Sequence, residues 1–206
     1  MSEETFAYHP SVRQPEMIKG YHSSLSPLSQ LSETMEGIWG ELLETEGMRD
    51  TPARVLKHWK AATAGLHLDP LEPLRKTFPC DSNEIVIVKD IEFSSLCEHH
   101  LLPFYGVAHV GYIPKGQVVG LSKIPRCVDI LAARPQMQER LTRQIALSIQ
   151  TALDTDGVAV VLKGEHSCMA HRGIRKAGSS TVTSCVLGTF RDDSTARAEF
   201  MQLIQI

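Results

Sequence analysis

The first third of the chain shows apolar residues at helical spacing. One run ends near Gly47 and predicts a first helix, and a second helix is predicted to begin with Thr51 as its cap and Pro52 at the first helical position. The apolar faces of the two helices consist of Met35, Ile38, Trp39, Leu42 and Leu43, and of Val55, Trp59, Ala62 and Leu66. Residues 1–28 are polar and lack a clear period, which predicts a loosely ordered arm.

Strand-like runs dominate after a proline-rich link between residues 70 and 79. The strands are predicted at 84–95, 104–113, 157–166 and 180–190, and the helices at 123–133, at Gln136–Asp154 and from about Ser194. The last helix should bury Phe200, Leu203 and Ile204. This order predicts an α+β fold in which an antiparallel four-stranded sheet carries helices on one face.

These elements divide the chain into three parts. Residues 1–28 form the arm, residues 29–80 an N-terminal helical region, and residues 81–206 the domain that contains the sheet. A chain of 206 residues is long enough for one compact domain with a smaller appendage and a buried core.

Composition and charge exclude several classes of protein. No apolar run is long enough to cross a membrane, and the start of the chain lacks the pattern of a secretory signal. The net charge of −3 excludes a polycation that coats nucleic acid. We therefore expect neither a membrane nor a nucleic-acid partner.

Five dispersed cysteines do not form a disulfide framework. They are Cys80, Cys97, Cys127, Cys168 and Cys185. This usage indicates a reducing compartment in which some thiols serve as metal ligands, so we expect a cytoplasmic protein.

The three candidate metal ligands come from two distant segments of the chain. Cys97 and His100 have a Cys-x2-His spacing between two predicted strands, and Cys168 lies at the end of a third. Three protein ligands with an open fourth position are typical of catalytic zinc, and thiolate with imidazole favours zinc over magnesium or calcium. His99 and His166 lie beside these ligands and could move protons near neutral pH. The alternative stays open that the spacing arose by chance and the cysteines are small apolar core residues.

Cationic residues cluster near the same segments. Lys123 and Arg126 begin a predicted helix after Gly120, where backbone N–H groups and two cations could bind phosphate. Further cations are Arg172, Arg175 and Lys176, which follow Cys168, and Arg54 and Lys57 on the second helix. In a chain of net charge −3 this concentration indicates a polyanionic substrate, although each cluster could also be a solvated face.

One acid stands out near the start of the long helix. Glu139 is expected to be buried, and its carboxylate could accept two hydrogen bonds from a guanine edge. The alternative is an acid that the helix dipole favours in the first turn.

Several long motifs, collinear from about Thr51 to Phe200, resemble the GTP cyclohydrolase I family. They are Ser95-Leu-Cys-Glu-His-His-Leu-Leu-Pro103, Tyr112-Ile-Pro-Lys115, Val119-Gly-Leu-Ser-Lys-Ile-Pro-Arg126, Arg134-Pro-Gln-Met-Gln-Glu-Arg-Leu-Thr142 and Arg172-Gly-Ile-Arg-Lys176. The resemblance implies the tunnelling fold and conversion of GTP and water to formate and 7,8-dihydroneopterin triphosphate. It also implies a homodecamer of two stacked pentameric rings, with active sites between subunits.

The resemblance also implies a role for each matching residue. Zinc (Zn2+) would be held by Cys97, His100 and Cys168, and His99 and His166 would shuttle protons. Guanine would be held by Glu139 with help from Gln138 and from backbone groups between Val119 and Leu121. The triphosphate would be held by Ser122, Lys123, Arg126 and Arg172, with Arg54 and Lys57 reaching in from a neighbouring subunit.

Two other functions remain as alternatives. A nitrile reductase of queuosine synthesis shares the fold but needs a cysteine nucleophile and a nicotinamide cofactor, without the Cys-Glu-His-His segment. A non-catalytic zinc module would bind nucleotide or protein without turnover. A zinc nucleoside deaminase is disfavoured, because the chain lacks His-x-Glu followed by Pro-Cys-x-x-Cys.

Overall fold

The computed structural model describes residues 26–205, which separate into two compact units with a boundary between Ala61 and Ala62. The predicted arm, residues 1–28, lies outside the described residues except for its last three. The two units do not divide at residue 80, and the domain boundary proposed there stays a prediction.

The N-terminal unit consists of helix α1 (Pro27–Trp39), a 3-10 segment (Gly40–Glu44) and most of helix α2 (Thr51–Ala62). Ser26 caps α1 by accepting the backbone N–H of Ser29 at 3.2 Å. Helix α1 stops at Gly40, whose φ of 54° suits glycine better than other residues. Of the apolar residues predicted for the first helix, Met35 and Leu43 are buried, whereas Ile38, Trp39 and Leu42 are exposed.

The second unit contains the sheet. Its strands are β1 (Thr77–Pro79), β2 (Val86–Cys97), β3 (Pro103–Ile113), β4 (Gln117–Val119), β5 (Pro135–Gln136), β6 (Gly157–His166) and β7 (Ser180–Gly188). Its helices beyond α2 are α3 (Lys123–Ala132), α4 (Gln138–Leu153), α5 (Ser167–Ala170), α6 (Thr189–Asp192) and α7 (Ser194–Ile204), with 3-10 segments at Ala64–His67 and Pro73–Arg75. Among the described residues, none of the helices combines the length and the apolar character needed to cross a membrane.

The main sheet has the order β5-β2-β3-β6-β7. Its four long strands run antiparallel to one another, which confirms the predicted sheet. Two additions were not predicted: the two-residue strand β5, which runs parallel to β2, and a small separate sheet formed by β1 and β4.

The two faces of the sheet pack against different helices. In β6, Val158, Val160 and Leu162 belong to the larger core, which also contains the buried sides of α3 and α4. The alternating residues Ala159 and Val161 belong to a second cluster with Phe190, Phe200 and Ile204 from α6 and α7. The predicted helices on one face are therefore α3 and α4, and the C-terminal helices cover part of the other face.

One residue of the C-terminal helix differs from the prediction. Phe200 and Ile204 are buried as expected, whereas Leu203 is 50% exposed. Burial of a phenylalanine side chain contributes about 1.5–3 kcal/mol, so Phe200 alone anchors the helix substantially. Leu203 lies one residue before Ile204 and therefore on a side of the helix that does not face the sheet.

The strand ends bring distant segments together. Strand β3 lies between β2 and β6, and Phe104 near its start is paired with His166 at the end of β6. Leu96, the neighbour of Cys97, is paired with Pro103. The end of β2 and the end of β6 therefore meet at the same edge of the sheet, and α5 begins there with Ser167 and Cys168.

Candidate active site

Three potential metal ligands converge at this edge. One donor atom from each of Cys97, His100 and Cys168 lies within 4.8 Å of the others, and this is the one such group of three found within residues 26–205. Bonds of about 2.0–2.3 Å to sulfur and nitrogen let a single zinc ion contact all three after small side-chain movements. Cys97 is buried, Cys168 is half-buried and His100 is exposed.

A tight turn after β2 presents the first two ligands. Cys97 exchanges backbone hydrogen bonds with this turn: its N–H donates to Leu102 O, and its carbonyl accepts from the Leu101 N–H, both at 2.8 Å. Leu101 has a positive φ of 51°, a backbone conformation that side chains other than glycine rarely adopt. The turn therefore reverses the chain within a few residues and places His100 beside Cys97.

The two thiols influence each other. Burial, followed by the charge and hydrogen bonding of Cys97, raises the pKa of the Cys168 thiol above its ordinary value. Coordination to a divalent cation favours the thiolate and offsets this effect.

The two predicted proton carriers lie beside the ligands but in different surroundings. His99 is exposed, and its Nδ1 lies 3.6 Å from Cys97 Sγ. His166 is half-buried and stacks on the Phe104 ring, with centroids 4.8 Å apart and planes 2° apart. Burial lowers the pKa of His166, and the negative charge of Glu139 partly opposes that shift.

Arg172 places a permanent cation beside the candidate ligands. Its Nη1 lies 2.6 Å from His100 Nε2. Arg172, Arg175 and Lys176 all belong to the exposed segment that follows α5. The predicted association of Arg172 with the ligands thus has a geometric basis.

The other predicted phosphate-binding residues lie at the start of α3. Ser122 precedes the helix, and its side chain makes no capping hydrogen bond. Ser122 and Arg126 are exposed, and Lys123 is half-buried. Helix α3 packs against β2, the strand that ends at Cys97.

Two predictions for the guanine site need revision or refinement. Glu139 is exposed in the described chain, not buried as expected, because it lies in the first turn of α4 on the side away from the core. The N–H groups of Val119 and Gly120 already donate to Tyr112 Oη and Lys76 O, both at 3.1 Å. The Leu121 side chain is 67% exposed.

Arg54 and Lys57 belong to the N-terminal unit, on α2. Both are exposed, and Arg54 pairs with Asp50 at 3.3 Å. Their contribution to the site of a neighbouring subunit stays a prediction.

Three contacts of the site were not predicted. Arg140 forms an ion pair with Glu98, the residue between Cys97 and His99. Gln138 hydrogen-bonds to His166, and Phe104 stacks on the same ring. The motifs quoted above contain Arg140, Gln138 and Glu98, so the sequence marked these residues as candidates. Only the distances in the structure show that Arg140 contacts Glu98 and that Gln138 contacts His166.

The chain is similar to known proteins of one family. A sequence profile of the family described as GTP cyclohydrolase I matches residues 29–205. GTP cyclohydrolase 1 of Corynebacterium glutamicum (strain R) is 53% identical over 168 residues, which are 81% of this chain and 86% of that protein. GTP cyclohydrolase 1 of Halalkalibacterium halodurans is 52% identical over 167 residues, which are 81% of this chain and 89% of that protein. A solved structure of the archaeosine synthase QueF-Like in the apo form covers 52% of this chain and 97% of its own, with a TM-score of 0.45 and 20% identity.

The antiparallel sheet and the cysteine–histidine group at its edge define an α+β protein with a candidate metal centre, and the family profile assigns the tunnelling fold. Within that class the assignment is specific. The chain belongs to the GTP cyclohydrolase I family, since the family profile spans most of it and relatives exceed 50% identity over about four-fifths of its length. The resemblance drawn from the motifs is confirmed.

Proposed function

We propose that the protein catalyses the zinc-dependent conversion of GTP and water to formate and 7,8-dihydroneopterin triphosphate, the first step of pterin and folate synthesis. The observation that carries the proposal is the convergence of Cys97, His100 and Cys168, with Arg172 in contact with one ligand and His166 at the adjoining strand end. The motifs and the family membership support the same chemistry.

The residues at the cluster fit zinc. Two thiols and one imidazole form a donor set that selects zinc over the harder cations, and all three donors are close enough for one ion. In catalytic sites with three protein ligands, bound zinc lowers the pKa of a coordinated water to about 7 and polarises substrate oxygen atoms.

The histidines would handle protons during hydrolysis of the purine. His166 donates a proton toward N7 while water adds at C8, and His99 accepts or returns a proton at the same centre. The C8–N9 bond breaks to open the ring, and a second water breaks the C8–N7 bond to release formate. The ribose then undergoes an Amadori-type shift, and closure of the pyrazine ring releases one water, so one water is consumed overall.

The remaining predicted residues would bind and orient GTP. The Glu139 carboxylate accepts two N–H groups of guanine, with the backbone from Val119 to Leu121 alongside. Ser122, Lys123, Arg126 and Arg172 hold the triphosphate through charge-assisted hydrogen bonds. This orientation is the main contribution of the cationic residues to catalysis.

The assembly forms part of the proposal. We propose a cytoplasmic homodecamer of two stacked pentameric rings, in which Arg54 and Lys57 of one subunit contribute to the site of the next. The exposure of Glu139, Ser122 and Arg126 in the single chain is compatible with a site that a second subunit completes.

The decisive experiment follows formate and pterin together. Protein stripped with a chelator and reloaded with zinc is incubated with GTP, formate is measured enzymatically, and the oxidised pterin is detected by fluorescence. Equal amounts of both products, absent with ATP and absent before reloading, are the expected result. Nucleotide binding without either product would overturn the proposal in favour of a non-catalytic zinc module.

A further inference from the structure

We infer that Gln138 is a positioning residue that determines which ring nitrogen of His166 carries hydrogen. The side chain of Gln138 is buried, with 1% of the residue exposed, and its Oε1 lies 2.9 Å from His166 Nε2. This inference rests on the proposed function only in giving His166 a role in proton transfer. It replaces a direct side-chain contact between Gln138 and guanine.

The neighbours of the Gln138 amide determine its orientation. Its Nε2 lies 3.2 Å from Leu162 O and 3.0 Å from Thr181 O. Carbonyl oxygens only accept hydrogen bonds, so the NH2 group must face them. A flipped amide would set its own oxygen against both carbonyl oxygens, and acceptors placed in contact repel each other. The amide oxygen therefore faces His166.

Two threonines lead independently to the same orientation. Thr142 Oγ1 donates to the backbone carbonyl of Gln138 at 2.7 Å. Since its single hydrogen is used there, the 2.7 Å contact between Thr142 Oγ1 and Thr183 Oγ1 requires Thr183 to donate. Thr183 Oγ1 is then left to accept from Gln138 Nε2, which lies 3.1 Å away.

The orientation of the Gln138 amide determines which nitrogen of the His166 ring carries hydrogen. An acceptor facing Nε2 requires hydrogen on Nε2, so the neutral ring has its lone pair on Nδ1. Stacking on Phe104 holds the plane of the ring, with the two ring planes 2° apart. Proton exchange with substrate or water must then take place at Nδ1.

Gly164 on strand β6 leaves room for the amide oxygen of Gln138. A Cβ atom built on Gly164 would lie 2.6 Å from Gln138 Oε1, closer than real contacts of this kind. The amide oxygen therefore occupies space that any other residue at position 164 would fill.

The first test uses the unmodified, zinc-loaded protein. Histidines are labelled with 15N, and the His166 signals are assigned by their loss in His166→Gln. Spectra are recorded about two pH units above the ordinary histidine pKa of about 6.5, where the ring is neutral. The expected result is a single form with hydrogen on Nε2 and none on Nδ1. Hydrogen on Nδ1, or a mixture of both forms, would overturn the inference.

The second test uses Gln138→Met, which keeps the length of the side chain and removes its polar atoms. We expect kcat to fall by about tenfold or more, because general acid–base catalysis contributes about 10²–10⁴ and the ring is no longer held in one form. The KM for GTP should change by less than about twofold, since an effect confined to kcat marks an interaction of the transition state. Zinc content should be unchanged, and the His166 spectrum should show both forms.

The matched control is Gln150→Met, twelve residues further along α4, which should alter neither spectrum nor kcat. A raised KM with unchanged kcat in Gln138→Met would show contact with substrate and overturn the inference. If Gln138→Met does not fold, the spectrum of the unmodified protein decides alone. Because that spectrum requires no turnover, failure of the proposed function and failure of the inference are distinguishable.

Discussion

The guanidinium of Arg140 donates to the Glu98 carboxylate and so joins the turn between two candidate metal ligands to helix α4. Arg140 also donates to Gln136 Oε1 at 2.9 Å and to Pro135 O at 3.0 Å. The backbone N–H of Glu98 in turn donates to Gln136 O at 3.0 Å. The position of Cys97 and His100 is therefore set by contacts to β5 and α4 as well as by their own strand.

Loss of this ion pair should weaken metal binding. In Arg140→Met we expect zinc affinity to fall by about tenfold, the lower end of the effect of residues that orient metal ligands. Both partners are partly exposed, so the loss of rigidity matters more than the charge interaction itself. Competition with a coloured chelator measures the affinity. Arg197→Met removes one charge from α7 and serves as control; equal zinc affinity in the two variants would contradict this role.

Removal of one thiol should abolish the metal site. Cys168→Ser is expected to lose zinc and to reduce GTP turnover by about 10² or more, since a serine hydroxyl is a poor ligand for zinc. Metal analysis of the purified protein and formate release are the two measurements. Cys80→Ser, outside the group of three, should retain both properties. Full zinc content and activity in Cys168→Ser would exclude the three-ligand site.

Glu139 should determine the choice of base. In Glu139→Gln one acceptor becomes a donor, so we expect the KM for GTP to rise by about tenfold or more, as when a buried hydrogen bond to substrate is lost. The discrimination between GTP and ATP should fall in parallel, which competitive binding with both nucleotides measures. Glu199→Gln on α7 is the control. Unchanged discrimination would remove Glu139 from the guanine site.

His109 should make stability depend on pH. It is 3% exposed and accepts the Asp90 N–H at 3.2 Å. Burial lowers its pKa below 6.5, the Asp90 carboxylate partly opposes this, and Lys89 adds to it. The unfolded chain therefore takes up the proton first, and stability present above about pH 6.5 is lost as pH falls through the folded pKa.

The variant His109→Asn keeps a polar acceptor but does not titrate. The decrease in thermal midpoint from about pH 7.5 to about pH 5.5 should be smaller in this variant than in the unmodified protein. His58→Asn, at an exposed position of α2, should show the unmodified dependence. An identical dependence in all three proteins would mean that His109 does not contribute.

The long elements were predictable because each buries a regular set of apolar residues. The observed bounds of the four long strands lie within two residues of the predicted ones, since segments such as Val158–Leu162 are short apolar runs rich in β-branched residues. Strand β5 was not predicted, because two residues are too few to show a period of apolar residues. The face chosen by α7 also escaped, because an apolar stripe indicates that a helix packs but not against which side of a sheet.

Some features of the candidate site were also predictable from the sequence, and others were not. The ligands were predictable through the resemblance of the long motifs, because the Cys-x2-His spacing alone also fits small apolar core cysteines. The partners of Gln138 and Arg140 were not, since glutamine and arginine occur on many helices and their roles depend on distances between strands. The expected burial of Glu139 was wrong because proximity to the start of a core helix does not specify which side of the first turn a residue occupies.

Strand β7 contributes no predicted ligand or substrate contact, yet both Thr181 O and Thr183 Oγ1 come from it. Its register pairs Thr183 with Leu162. A slip of one residue would turn the Thr183 hydroxyl to the opposite face and bring Val182 or Ser184 into its place. Correct alignment of the last strand during folding is thus a condition for a functional His166, which ends the neighbouring strand β6. A chain misaligned only in β7 would bind metal normally while being a poor catalyst.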